Sequence, residues 1–278
     1  MGVTPASARL RPSQSDLTEA MRLNDLAMKL YEKDKYDEAL PLLIQARASA
    51  ERSVGPDHPF IAMLLDNLSK IYLIKGQTTD SEPLLQRSLR IREKSTGADS
   101  LETSQSTFNL GDFYQMTGDF QKAGMFYERA LTIRKKLLKA GDVNTVVTVF
   151  RYSCILRKTN REKDAEQIEA ASQLNSDKQF PQQSNSASRS SASADASGLK
   201  FGRSLSSPKP NYSGVSSKVT VQLLIDEKGS VLNACAVSGN PLLWQSAESA
   251  AYKARFSATT LSGVPIRTPG VLTYDFKK

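Results

Sequence analysis

The sequence predicts a multidomain chain, an all-α solenoid of helical hairpins followed by a small α+β domain, and three observations predict it. First, Asn67-Leu68, Tyr72, Gly76, Leu85, Ser88-Leu89 and Ile91-Arg92 return at one constant offset as Asn109-Leu110, Tyr114, Gly118, Tyr127, Ala130-Leu131 and Ile133-Arg134. A fixed period of the length that separates Asn67 from Asn109 is the mark of a solenoid built from one repeated supersecondary unit. Second, the composition turns to Ser, Gln, Ala, Pro and Gly after Asn175. Third, from Val219 onward the apolar residues alternate instead of recurring at helical spacing.

Residues 1–15 are polar and read as a disordered N-terminus. At Asp16-Leu17-Thr18-Glu19 the spacing predicts a helix start, with Asp16 as the cap and Glu19 reaching back to it. Leu23, Leu26, Ala27 and Leu30 then form one helical face, Lys33 to Lys35 break it, and Tyr36, Ala39, Leu40, Leu43 and Ala46 form the next. Each unit is therefore a helical hairpin. The joining loop Val54-Gly55-Pro56-Asp57-His58-Pro59 places Asp57 to cap the following helix and Pro59 in its first turn. The fourth unit departs, with Arg151, Leu156 and Asn160 where the third has Asn109, Tyr114 and Gly118, although Ala165 and Ile168 keep the second-helix pattern. A terminal capping unit is expected to diverge in this way.

These residues resemble the tetratricopeptide repeat (TPR) in its kinesin-light-chain-like form, over residues 16–174. Gly111, Tyr114, Gly118, Ala123, Tyr127 and Ala130 stand where that family places its packing residues. The resemblance implies that the first helix of each hairpin lines a concave, partner-binding face. Alignment of the units then puts Asn24, Asp25, Asn67, Lys70, Asn109, Asp112, Arg151 and Lys158 on it. Asn67 and Asn109 match asparagines with which the family clamps an extended peptide backbone.

Residues 175–217 read as a Ser-rich flexible linker, because Gln182-Gln183-Ser184-Asn185-Ser186 and Ser206-Ser207-Pro208-Lys209-Pro210 offer little apolar area to offset ordering entropy. Treated as a Gly/Ser-type coil, it spans roughly 35 Å and leaves its flanking domains independent. Beyond it, residues 218–278 predict strand, strand, helix, strand. Val219, Val221, Leu223 and Ile225 alternate, Asp226-Glu227-Lys228-Gly229 turns, and Val231 to Val237 returns. Asn240 and Pro241 open a helix through Leu242, Leu243, Ala247, Ala250 and Ala251. Gly263, Pro265, Pro269 and Gly270 mark loops before a last strand, Val271 to Phe276.

That order, with Ile225-Asp226, Gly229, Val231, Val237-Ser238-Gly239, Pro241-Leu242, Ala250, Phe256 and Gly263-Val264-Pro265, is similar to the C-terminal domain of TonB energy transducers. A tryptophan usual near Phe256 in that family is absent, and Lys253-Ala254-Arg255 stand there instead. The resemblance implies that Val271, Leu272, Thr273, Tyr274, Asp275 and Phe276 form an edge strand able to accept a receptor peptide by strand addition. Pairing of this edge with a second copy would instead make a homodimer.

Composition narrows the function. A formal charge of +8 sits mostly in residues 175–278, whereas the repeat half is nearly balanced and its densest cluster is Arg134-Lys135-Lys136. Nucleic-acid binders concentrate cations on one face with aromatics interleaved, so this pattern argues against such a partner. The two cysteines, Cys154 and Cys235, fall in different halves and read as small apolar core residues rather than a disulfide framework. The single histidine, His58, lies between prolines without neighbouring ligands, so neither metal nor catalysis is expected of it. No phosphate loop, dinucleotide fingerprint or nucleophile elbow occurs, and no cofactor is expected. No stretch reaches the length of a membrane span and the first fifteen residues show no apolar export segment. The expectation is a non-enzymatic adaptor that binds proteins or peptides. The TonB-like part implies transport or receptor partners in a bacterial envelope; a cytosolic cargo or chaperone adaptor, whose C-terminal domain only dimerises, is the alternative.

Overall fold

Hairpin follows hairpin through the first part of the chain, as the period predicts. The computed structural model describes residues 14–172, 199–200, 202–210 and 216–276. These fall into two compact units, residues 1–137 and 138–278. The first unit contains α1 (Gln14–Tyr31), α2 (Tyr36–Val54), α3 (Pro59–Ile74), α4 (Thr78–Thr96), α5 (Leu101–Thr117) and α6 (Phe120–Leu137). Ala20, Leu23, Ala27, Leu43, Leu64, Leu65, Leu68 and Ile71 make a continuous core between its first two hairpins. Burial of such side chains is worth about 1.5–3 kcal/mol each for the larger ones, enough to hold helices of marginal intrinsic stability.

The period also sets the backbone and the polar contacts. Asp34, Gly76, Gly118 and Asn160 stand one period apart, and all four have positive φ, between 58° and 85°. Each closes its hairpin in the left-handed region, which glycine enters freely and Asn and Asp tolerate. Between hairpins, Glu51–Arg87 (2.9 Å) recurs as Glu93–Arg129 (2.6 Å), and Asp57–Lys94 (2.8 Å) recurs as Asp99–Lys136 (3.5 Å). Within the third hairpin a Cβ on Gly111 would lie 2.6 Å from the Tyr127 ring. The glycine is there because α5 and α6 approach too closely for any side chain.

Helix starts differ from expectation in two places. His58 caps α3, its Nδ1 accepting from the Phe60 amide at 3.2 Å, while Asp57 pairs with Lys94. The same cap position holds Ser100 for α5, accepting from Thr103 at 3.0 Å, and Asp142 for α7, accepting from Asn144 at 2.8 Å. Asp16 lies inside the first turn of α1, and Glu19 pairs with Arg22 rather than reaching back. A helix that starts two residues earlier suffices to remove the predicted capping box.

The second unit holds the last helical hairpin together with the strands. It contains α7 (Val143–Lys158), α8 (Glu162–Ala171) and all the strands: β1 (Leu199–Lys200), β2 (Ser204–Ser206), β3 (Ser217–Ile225), β4 (Val231–Ser238), β5 (Arg255–Phe256), β6 (Thr259–Leu261), β7 (Val264–Ile266) and β8 (Thr268–Phe276). A 3-10 turn, Pro241–Leu243, leads into α9 (Trp244–Tyr252). The strand, strand, helix, strand order is present, in a sheet ordered β4-β3-β8 with both pairings antiparallel. Val219, Val221, Leu223, Ala234, Ala236, Leu243, Ala247 and Ala251 bury one face of it against α9.

Around this sheet lie pieces expected to be loop or linker. β1 pairs with β6, which pairs with β7, and β2 pairs with β5. Residues 199–200 and 204–206 thus contribute strands, although they fall in the stretch read as linker; residues 175–198, 201 and 211–215, and the N-terminus through residue 13, lie outside the described residues. Pro265 sits on β7, at the end of its sheet, and Pro269 on β8, at the end of the other. Prolines are tolerated on edge strands because no ladder needs their missing donor.

Candidate partner-binding site

The eight first-helix residues divide into two groups. In the first unit, Asn67 is nearly buried and donates through Nδ2 to Oδ1 of Asn24 at 2.9 Å, joining α3 to α1. Asn109 accepts from Gln105 at 2.8 Å along its own helix, and Asp112 accepts from the Tyr127 hydroxyl. Asp25 and Lys70 are exposed. The Asn24–Asn67 bond shows that part of the amide row fastens neighbouring hairpins to each other. What remains at the surface is Asp25 on α1 and, on α3 and α5, Lys70 with half-exposed Asn109 and Asp112, flanked by Ile74 (44% exposed) and Met116 (51% exposed).

In the second unit the same row is occupied. Arg151, Cys154 and Lys158 stand one period after Asn109, Asp112 and Met116. The Arg151 guanidinium lies 5.5 Å over the Tyr252 ring. Cys154 is bonded to Cys235 of β4. The Lys158 ammonium, its side chain 4% exposed, pairs with Glu248 of α9 at 2.7 Å and lies 5.1 Å over the Trp244 ring. Glu248 also accepts from the Ala236 amide at 2.8 Å, so the carboxylate serves the outer side of β4 as well. Arg151 and Lys158 therefore face α9 of their own chain.

Beside this row, Arg157 pairs with Glu169 of α8 at 2.5 Å and with Glu162 at 3.0 Å, and reaches Gln222 of β3 at 3.5 Å. Burial works against its charge, but the two carboxylates outweigh burial and its proton is held more tightly than usual. Disulfide, aromatic-capped cations and buried ion pair together fasten β4 and α9 to α7.

The cysteines correct the sequence reading, since both are bonded and neither is a free core residue. A signal was available. Cys154 falls at the row position held by Lys70 and Asp112, where a core residue has no place. Cys154, Cys235 and Glu248 bring their ligand atoms within 4.8 Å of one another. With both sulfurs bonded and an ammonium on the carboxylate, the cluster suits fastening rather than cation binding.

The edge strand is where the topology predicts it. β8 lies at one end of the β4-β3-β8 sheet and runs antiparallel to β3 from Ser217↔Phe276 to Ile225↔Thr268. Val271, Thr273 and Asp275 point outward and are exposed, Leu272 is half-buried, and Tyr274 and Phe276 are in the core. His58 is the α3 cap described above.

A row of first-helix side chains repeated through successive hairpins, and engaging a folded module on α7, defines a helical-repeat scaffold. The tetratricopeptide-repeat model matches residues 17–94, 61–136 and 101–172, together more than half of the chain, and the chain belongs to the TPR family. Among solved structures it is similar to BtubC (BKLC) from P. vanneervenii, at 19% identity with a TM-score of 0.55, covering 68% of this chain and 76% of that one. It is also similar to a Podosopora anserina chain described as a putative kinesin light chain with nearly identical TPR-like repeats, at 20% identity and a TM-score of 0.54, covering 61% and 82%. At such identities the likeness is one of fold. None of the curated proteins matches the sequence. No described helix is long and apolar enough to cross a membrane.

Proposed function

We propose that this chain is a non-enzymatic adaptor of a bacterial envelope, which holds a partner peptide on the first-helix row of α3 and α5 and a transport or receptor partner on β8. One observation carries the reading: the row that holds β4 and α9 on α7 continues in sequence register to Asn67, Lys70, Asn109 and Asp112, where Lys70 and the flanking Ile74 and Met116 are exposed. The TPR fold supplies the general role, a scaffold for protein–protein interaction. Placement in the envelope is supported by the Cys154–Cys235 bond, because such bonds persist in oxidising compartments. The β8 edge supports strand addition of the kind the TonB-like resemblance implies.

The test is capture from envelope and cytosolic extracts on the full chain, with Asn67→Ala/Asn109→Ala and Thr273→Pro variants alongside. Loss of one set of envelope proteins from the asparagine variant, and of a different set from the proline variant, is expected. Unchanged capture by variants that keep the wild-type circular dichroism would remove the respective site, and capture of only a second copy through β8 would leave that strand a dimerisation edge.

A further inference from the structure

We propose that Cys154–Cys235 is a redox latch: the oxidised chain holds β4 and α9 shut over the first-helix row of α7, and the reduced chain lets them leave it. This does not depend on the partner sites proposed above. The surface concerned is an interaction surface whose occupant is the chain's own C-terminal module. Its polar and covalent contacts are the Cys154–Cys235 bond, Lys158 with Glu248 and Trp244, Arg151 with Tyr252, and Arg157 with Gln222.

The bond matters because the polar part of the interface is imperfectly matched. Taking Lys158 and Glu248 out of water together returns little net free energy, since desolvation offsets their attraction. Trp244 Nε1 and Asn233 Nδ2 are buried without an acceptor among the described residues. Undocking would return both to water. Such an interface closes firmly when a covalent bond holds it and weakly when none does.

Chemistry sets the direction. A dithiol reductant gives two electrons and two protons to the bond, becomes a cyclic disulfide itself, and leaves Cys154 and Cys235 as thiols. Both cysteines are about 1–2% exposed, so the reductant must wait for a local opening beside the bond. The latch is thus closed once, on entry to an oxidising compartment, and is slow to reopen there. Reduction uncovers Arg151 and Lys158, two cations that would then accept a carboxylate-bearing segment in place of Glu248.

Trp244 is the only tryptophan of the chain and lies against Lys158, so its fluorescence reports the latch directly. The experiment uses the full chain, oxidised, treated with dithiothreitol, and as Cys154→Ser/Cys235→Ser. Expected are no alkylatable thiols before reduction and two after it. On reduction, Trp244 emission should shift to the red and amide exchange over residues 151–158 and 231–238 should rise at least tenfold, with exchange in α3 and α4 unchanged. The double variant should match the reduced wild type. Two free thiols in protein recovered from an oxidising compartment would overturn the latch, as would reduced wild type with oxidised-like emission and exchange. Reducing the already folded wild type answers the question even if the serine variant does not fold.

Discussion

Tyr114 and Tyr36 both hold their phenolic protons up to about 12. For Tyr114 the cause is burial first and then its hydrogen bond to Glu82; for Tyr36 it is the hydrogen bond to Asp34, then burial. In each the folded state favours the neutral phenol. The stability they contribute is therefore complete below the unfolded value near 10 and is lost as pH rises from about 10 towards 12. A spectrophotometric titration should show a late tyrosine step that coincides with loss of helix, and Tyr114→Phe should shrink it. A Tyr114→Phe titration identical to wild type would count against this account. The residue scale also shows what the repeat made legible. Asn160 differs in identity from Gly118 but keeps its left-handed backbone, so the period marks a conformation even where the residue changes. Asp57 misled because a carboxylate beside a helix start has two uses, and Lys94, remote in sequence, claims it.

At the scale of elements, the hairpins follow from spacing because their contacts are local and recur. Gly111 makes the clearest test. Alanine there must move the Tyr127 ring, which is itself buried and hydrogen-bonded to Asp112. The substitution should cost about 1–3 kcal/mol by overpacking, despite alanine's better helix propensity. Thermal unfolding checks it, and a stabilised variant would mean that α5 and α6 can separate freely. Elements in the second unit were less legible. β5, β6 and β7 are each two or three residues long; β6 and β7 form a local hairpin, but β1 with β6 and β2 with β5 are pairings between stretches far apart in sequence. Nothing in local alternation announces such pairs. A Ser-rich composition likewise says only that a stretch cannot form its own core, and β1 and β2 instead find strand partners elsewhere in the chain.

At the scale of the whole molecule, the compact units divide one hairpin before the repeats end. The repeat match includes α7 and α8, and packing groups the same two helices with the strands. The cause is the Cys154–Cys235 bond with its surrounding cations, a link between residues 81 apart in sequence that no repeat pattern encodes. By the chain-entropy argument a cross-link of that span removes about 4.5 kcal/mol of unfolded-state freedom, comparable with much of a domain's net stability. Of the candidate site, the first-helix row was legible in its positions, because they recur once in every period. Its occupant on α7 was not.

The recurring ion pairs make the array a text that can be edited by whole words. Excising residues 59–100 would join His58 to Leu101, so that His58 caps α5, Glu51 meets Arg129 and Asp57 meets Lys136, each replacing its counterpart one period on. The shortened chain should unfold cooperatively with its remaining helices intact, as seen by circular dichroism, whereas an excision that stops two positions short of the period should not. Length in this scaffold is then a heritable variable, changed by recombination between like segments without a new interface having to be invented.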